Sequence, residues 1–250
     1  MLILKVFVGR YSHSQNIENR LLFLENIALS LRKGDFSIEH IKNLWNVLVK
    51  KSVTEVERSA FLKWVLKYKT SSNGKIKNYI FSDALLKSFF NDILCESSQT
   101  ENFKIFNPDI FSCYEKIFEI LNEKEENIEV VKNGFKVLKF QNLIGYDVLW
   151  SILLNCPNDK VLRDVKNLIV NINLKVPADE KLIVWQIFIE KWVESFQISS
   201  KSSNPNLSGH VISLLNLFIV QLDGRKYLHK DGPVAETVNL VIADKKSKLE

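Results

Sequence analysis

Ser37-Ile-Glu-His-Ile-Lys-Asn-Leu-Trp45-Asn-Val-Leu48 decides the reading of this chain. Ile38, Ile41, Leu44, Trp45 and Leu48 recur at three- and four-residue intervals, the spacing of one helix face, and Ser37 precedes them as a cap. The same rhythm extends on both sides. Upstream, Leu21, Leu24, Ala28 and Leu31 define a helix over 17–31, with Ser14 as its cap and Gly34 as its stop. Downstream, Thr54-Glu-Val-Glu57 has the form of a capping box before Ala60, Phe61, Trp64, Val65 and Tyr68. A loop over 70–74 then leads to a helix over 76–94 carrying Ile80, Leu85, Phe89, Phe90 and Ile93. Asn107-Pro108-Asp109 places a cap, a proline suited to the first helical turn and an acid against the helix dipole.

The rhythm breaks at 124–140. Glu129-Val-Val-Lys-Asn-Gly-Phe-Lys-Val-Leu138 sets Asn133-Gly134 between short apolar runs, which predicts a β-hairpin near 128–140 with that pair as its turn. Helices resume near Gly145. Pro157 is placed in the first turn of one ending near Leu174. Pro177 opens a long one over 178–196, burying Ile183, Val184, Ile187, Phe188 and Val193. The last spans 207–223. Beyond Gly224 and Gly232-Pro233, residues 234–242 alternate partly like a strand. The expected fold is therefore all-α, an armadillo- or HEAT-like solenoid of stacked helical pairs. Its domain runs over 1–225, and 226–250 forms a linker and a stray strand.

Composition agrees. The 250 residues are 46% hydrophobic, with only 8 Gly and 5 Pro, which suits long helices on short connections. The net charge of +5 is a mixed balance of 34 basic and 29 acidic residues, without the dense basic stripe of a nucleic-acid surface. No apolar run reaches the roughly 20 residues of a membrane span. Cys95, Cys113 and Cys156 are too widely spaced for a disulfide framework or a zinc site, and a reducing compartment follows.

Chemistry has little foothold. His13, His40, His210 and His229 are scattered, and no cysteine sits in a glycine turn that would expose a nucleophile. Neither phosphate-cradling glycine pattern is present, so no cofactor is implied. Trp45, Trp64, Trp150, Trp185 and Trp192 fall on helical stripes as core, and any exposed one would serve as an interface anchor.

Several segments taken together carry a resemblance: Asn19-Arg-Leu-Leu-Phe-Leu24, Leu44-Trp-Asn-Val-Leu-Val49, Ala60-Phe-Leu-Lys-Trp-Val-Leu66, Leu143-Ile-Gly-Tyr-Asp-Val-Leu-Trp150 and Asn155-Cys-Pro-Asn-Asp-Lys-Val161. Their succession resembles the helical region preceding the peptidase domain of large ubiquitin-specific proteases of the fat-facets type. Its residues here are Leu44, Trp45, Trp64, Gly145, Asp147 and Trp150, with Asp147 as a cap. Residues 237–242 look like the first strand of the ubiquitin-like domain that follows in that family. The resemblance implies a non-catalytic scaffold for ubiquitinated substrates or adaptors, cytoplasmic or nuclear. The family's thiol-peptidase boxes have no counterpart in these residues. The alternatives are a helical-repeat adaptor unrelated to ubiquitin, a small thiol enzyme, or an RNA-binding helical module.

Overall fold

The computed structural model describes residues 14–30, 36–52, 54–70, 76–78, 81–96, 105–132, 134–202 and 205–223. They are mostly helical. In chain order the elements are α1 Ser14–Ser30, α2 Ile38–Trp45, α3 Glu55–Val65, β1 Tyr68–Thr70, β2 Ile76–Asn78, α4 Asp83–Phe89, α5 Pro108–Lys124, β3 Ile128–Val131, β4 Gly134–Val137, α6 Tyr146–Asn155, α7 Asp159–Leu174, α8 Lys181–Ser200 and α9 Pro205–Asp223. Two compact units divide the chain, Met1–Phe118 and Glu119–Glu250.

In the first unit an aromatic cluster joins α2, α3 and α4. Trp45 lies 6.2 Å from Phe61 and 5.9 Å from Phe89, and Trp64 lies 5.7 Å from Phe81, all edge to face. α1 packs on α3 and α2 on α4. Both α2 and α4 widen into π-helical turns at their ends, Asn46–Lys50 and Phe90–Cys95. The π turn of α4 brings Phe90 to 4.9 Å from Tyr114 of α5. Caps fix the helix starts. Ser37 accepts the His40 amide while His40 Nδ1 accepts the Ser37 amide, a capping box with an imidazole as the returning group. Thr54 Oγ1 accepts the Glu57 amide, and Asn107 Oδ1 accepts the Ile110 amide at 3.0 Å.

In the second unit α6, α7, α8 and α9 pack against one another in every pairing. β3 and β4 form an antiparallel ladder in which Val131 faces Gly134 and Ile128 faces Val137. It is held to the end of α7, where the Val137 amide donates to the Lys175 carbonyl at 3.0 Å. Lys175 Nζ sits 5.0 Å from the Phe135 ring centroid. Gly134 has φ +117°, a backbone conformation that requires glycine; a Cβ there would come within 2.9 Å of Lys175 Nζ, the mobile end of a long side chain that can move aside.

One six-residue register recurs on α2, α4, α6 and α8 and the turns that continue them. It reads Leu44-Trp-Asn-Val-Leu-Val49, Phe89-Phe-Asn-Asp-Ile-Leu94, Leu149-Trp-Ser-Ile-Leu-Leu154 and Val184-Trp-Gln-Ile-Phe-Ile189. Its first, second and fifth positions are buried in all four copies, and its polar third position faces outward or sits half-buried. This is the burial pattern of a helix packed along one stripe.

Several expectations are corrected. Tyr68 leaves the helix for β1, and Ile76–Asn78 is its antiparallel partner rather than the start of a helix. That helix begins at Asp83, where the Ser82 hydroxyl accepts the Leu85 amide; the apolar periodicity had run through this cap. Ser14 is helical rather than a cap. Gly134 pairs with Val131 and so belongs to the β3–β4 ladder rather than to the turn where it was expected. Pro157 precedes α7 rather than lying in its first turn, and Asn158 caps the helix by accepting the Lys160 and Val161 amides. α8 starts at Lys181 after a turn closed from Glu180 to Pro177, and its Ile183 is 58% exposed rather than buried. Asn133, Gly34, the 234–242 strand and everything after Asp223 lie outside the described residues.

Candidate docking surface

The residues that carry the resemblance are structural supports. Leu44, Trp45, Trp64 and Trp150 are buried. Gly145 occupies the position before α6 with φ +90°, a left-handed turn that favours glycine. Asp147 is not the cap. It lies exposed in the first turn of α6 and pairs with Lys191 of α8 at 2.7 Å.

What holds this motif is a pair of buried amide groups that the sequence reading passed over. Asn122, at the end of α5, accepts the Ile144 amide at 2.8 Å and donates to the Ile144 carbonyl at 3.1 Å, mimicking a strand partner. Asn127 Nδ2 donates to Asn122 Oδ1 and to the Asn142 carbonyl, while its own carbonyl accepts the Leu138 and Lys139 amides. The Leu143–Gly145 approach to α6 is thereby stitched to α5 and the hairpin. Asn173 repeats the device one layer on. Its amide donates to the Tyr146 hydroxyl at 2.9 Å and to the Ile169 carbonyl, and its carbonyl accepts the Trp185 indole N–H at 2.9 Å. Burial pushes the Tyr146 phenol well above its ordinary range, so it stays a neutral hydrogen-bonding group. The visible signal in sequence was asparagine on an apolar helix face, where an amide needs buried partners.

Thiol chemistry is disfavoured by surroundings. All three cysteines are free and buried. Burial pushes the Cys95 thiol up to about 12 and Cys113 higher still. Cys156 is raised for the same reason, partly offset by the Asn158 backbone. A nucleophile needs the opposite shift.

A polar cluster does lie between α7 and α9. Lys166 Nζ donates to Ser213 Oγ at 2.7 Å, Ser213 donates to the His210 carbonyl at 2.8 Å, and His210 Nε2 stands 3.5 Å from Asp159. The elements of a serine–lysine pair are present, yet Ser213 sits mid-helix. Its neighbouring amides are committed to the helix ladder, so no pair of free N–H groups faces its hydroxyl as an oxyanion hole. The cluster fastens α9 to α7. Desolvation lowers the His210 pKa, with Lys166 adding to the effect and Asp159 opposing it. The folded state therefore disfavours the imidazolium. Stability is full above the ordinary value of 6.5 and declines as pH falls through it. Thermal melts should show a larger drop from pH 7.5 to about pH 5.5 for the parent chain than for His210→Gln, and equal drops would refute this.

Among the described residues, one exposed apolar surface lies along the outer side of the α8–α9 hairpin. Trp192 is the least covered tryptophan, half-buried, stacked 5.6 Å from Phe196 and donating to the Val211 carbonyl at 2.8 Å. α9 turns Gly209, Ile212, Asn216, Ile219 and Val220 to solvent in one row, with Val220 66% exposed. Across Pro205–Asp223 the ionisable residues are His210 and Asp223 alone, and the row itself carries no charge. Such a row suits protein contact better than catalysis. Among the described residues no His, Cys, Asp and Glu side chains gather into a metal-binding group, and no helix is long and apolar enough to cross a membrane.

No protein-family model matches the chain. Among curated proteins it is similar to ubiquitin carboxyl-terminal hydrolase 24 of Homo sapiens, 24% identical over 166 residues, and to the Mus musculus protein of the same name, 23% identical over 166 residues. The matched stretch is 65% of this chain and 6% of each relative, so the likeness is to a small part of a much longer protein.

Proposed function

We propose that the chain is a non-catalytic, protein-binding scaffold region of a large ubiquitin carboxyl-terminal hydrolase, acting in protein deubiquitination. The observation that carries this is the 166-residue likeness to ubiquitin carboxyl-terminal hydrolase 24. The recurring six-residue register supports an armadillo-like stack of helical pairs over 1–225, whose buried sides hold the array together and whose open sides meet partners. The partners are ubiquitinated substrates or adaptors in the cytoplasm or nucleus, and 226–250 leads toward a ubiquitin-like domain. The catalytic thiol comes from elsewhere in such an enzyme, since the thiols of this chain are buried and held protonated.

Two measurements test the reading. The purified chain, treated with ubiquitin-propargylamide, should form no adduct, and its three thiols should stay unreactive to a disulfide reagent until the fold is melted. An adduct on any cysteine would overturn the non-catalytic role. The protein immunoprecipitated from its own cells should release rhodamine from ubiquitin–rhodamine; a precipitate without that activity would overturn the link to deubiquitination.

A further inference from the structure

We propose that Ser52 is a phosphorylation site and that Arg58 is the built-in receptor of its phosphate. The site lies outside the scaffold reading and does not depend on it.

Ser52 stands in the short link between the π turn of α2 and the first turn of α3. Its hydroxyl donates to the Val49 carbonyl at 2.9 Å and accepts from Arg58 Nη2 at 3.1 Å. Arg58 is half-buried on α3, one turn past the Thr54 cap. Among the described residues its guanidinium pairs with no carboxylate, and this hydroxyl is its one hydrogen-bond partner. The neighbouring Nε–H is buried and unpartnered. A cation drawn out of water is ordinarily met by an anion, and a buried donor by an acceptor. Here a neutral hydroxyl occupies the place of the anion.

The orphan donor lies on the useful edge. In a planar guanidinium Nε–H and one Nη2–H point the same way, the fork that grips two oxygens of a carboxylate or phosphate. Nη2 of that fork already touches Ser52 Oγ, so a phosphoryl group on this oxygen brings its terminal oxygens within reach of Nε. An anion arriving from solvent or on a partner protein has a harder path, because Nε is covered. Lys50 and Lys51, both exposed, precede the serine and add positive charge. Glu55 and Glu57, in the first turn of α3, oppose it without engaging Arg58.

Transfer is the ordinary kinase reaction, with a nucleoside triphosphate as donor. Ser52 Oγ bonds to the γ-phosphorus, the bridging β–γ P–O bond breaks, the diphosphate leaves with the electron pair, and the hydroxyl proton passes to the kinase's base. The ester has lost the O–H that held the Val49 carbonyl and has gained acceptors for Arg58. The same residue thus changes its tie from the helix before it to the helix after it.

The full chain carrying phosphoserine at position 52, installed by nonsense suppression, tests the receptor. In a phosphorus NMR titration the phosphate should release its second proton about tenfold more readily than in the urea-unfolded chain, because a guanidinium favours the dianion. Arg58→Lys keeps the charge but removes the fork and should lose most of that difference, and Arg58→Gln should lose all of it. The two variants are read together, so that a loss of fold in one leaves the other. The ester should raise the melting temperature of the parent chain by about 3 °C, and of neither variant. Mass spectrometry of the protein from its own cells, with phosphatases inhibited, should find the phosphate on Ser52. A phosphate that titrates alike in the parent and the Arg58 variants, or an unmodified Ser52 in the cellular protein, overturns the proposal. So does inorganic phosphate that protects the unmodified chain as well as the ester does, since the site would then hold a free anion.

Discussion

Phe188→Ala is expected to cost the 119–250 unit about 4 kcal/mol, the upper range for deleting a buried ring. Phe188 is fully buried on α8, with its ring 5.7 Å from Trp150 of α6 and 4.3 Å from Phe218 of α9. Three helices meet on this one side chain, so the cavity cannot close by moving one of them alone. The measurement is the urea midpoint of the full chain followed by tryptophan fluorescence. Leu182→Ala, at an exposed site on the same helix, should shift it by less than about 0.5 kcal/mol. Equal shifts for the two variants would show that α8 is not held by this cluster.

Asn122→Leu tests the amide stitching and should cost about 3 kcal/mol, although it adds an apolar side chain to a buried site. The leucine fits by volume but supplies neither group that Ile144 uses, and it strips one acceptor from Asn127. The Ile144 amide and carbonyl then stay unpaired in a part-buried place. Hydrogen exchange provides the local readout: protection should fall at Ile144 and through the hairpin and the first turn of α6. A stable variant with unchanged protection would mean that hydrophobic packing alone holds the Leu143–Gly145 approach.

The helices were legible because burial on one stripe leaves a periodic trace. Ser37, Thr54 and Asn107 mark real starts for the same local reason: a side-chain oxygen meeting an amide three residues on. The β3–β4 hairpin was legible through Asn133-Gly134, though Gly134 belongs to the ladder, since register depends on cross-strand pairing and not on turn residues alone. β1 and β2 were hidden. Three-residue strands carry no usable alternation, and Ile76 fits a helix stripe as readily. Ile183 was expected in the core, but the buried stripe of α8 is Val184, Trp185, Phe188 and Ile189, and Ile183 stands just outside it. Asn122, Asn127 and Asn173 were hidden for another reason: their partners lie up to 27 residues away in the chain, which no local pattern records. The open row of α9 was legible as composition, but not as a surface until α6, α7 and α8 were seen to occupy its other sides.

The two π-helical turns bear on how this chain can vary. The Lys51 amide reaches the Asn46 carbonyl and the Glu96 amide reaches the Asn91 carbonyl, each spanning five residues where an ordinary turn spans four. Each is one surplus residue swallowed by a helix without any loop to hold it. A related sequence could drop that residue, tighten the coil, and leave Ser37 or Ser82 still seated at its amide. Length differences among such chains would then fall inside helices, where an aligner expects none, and relatives would look more distant than their folds are.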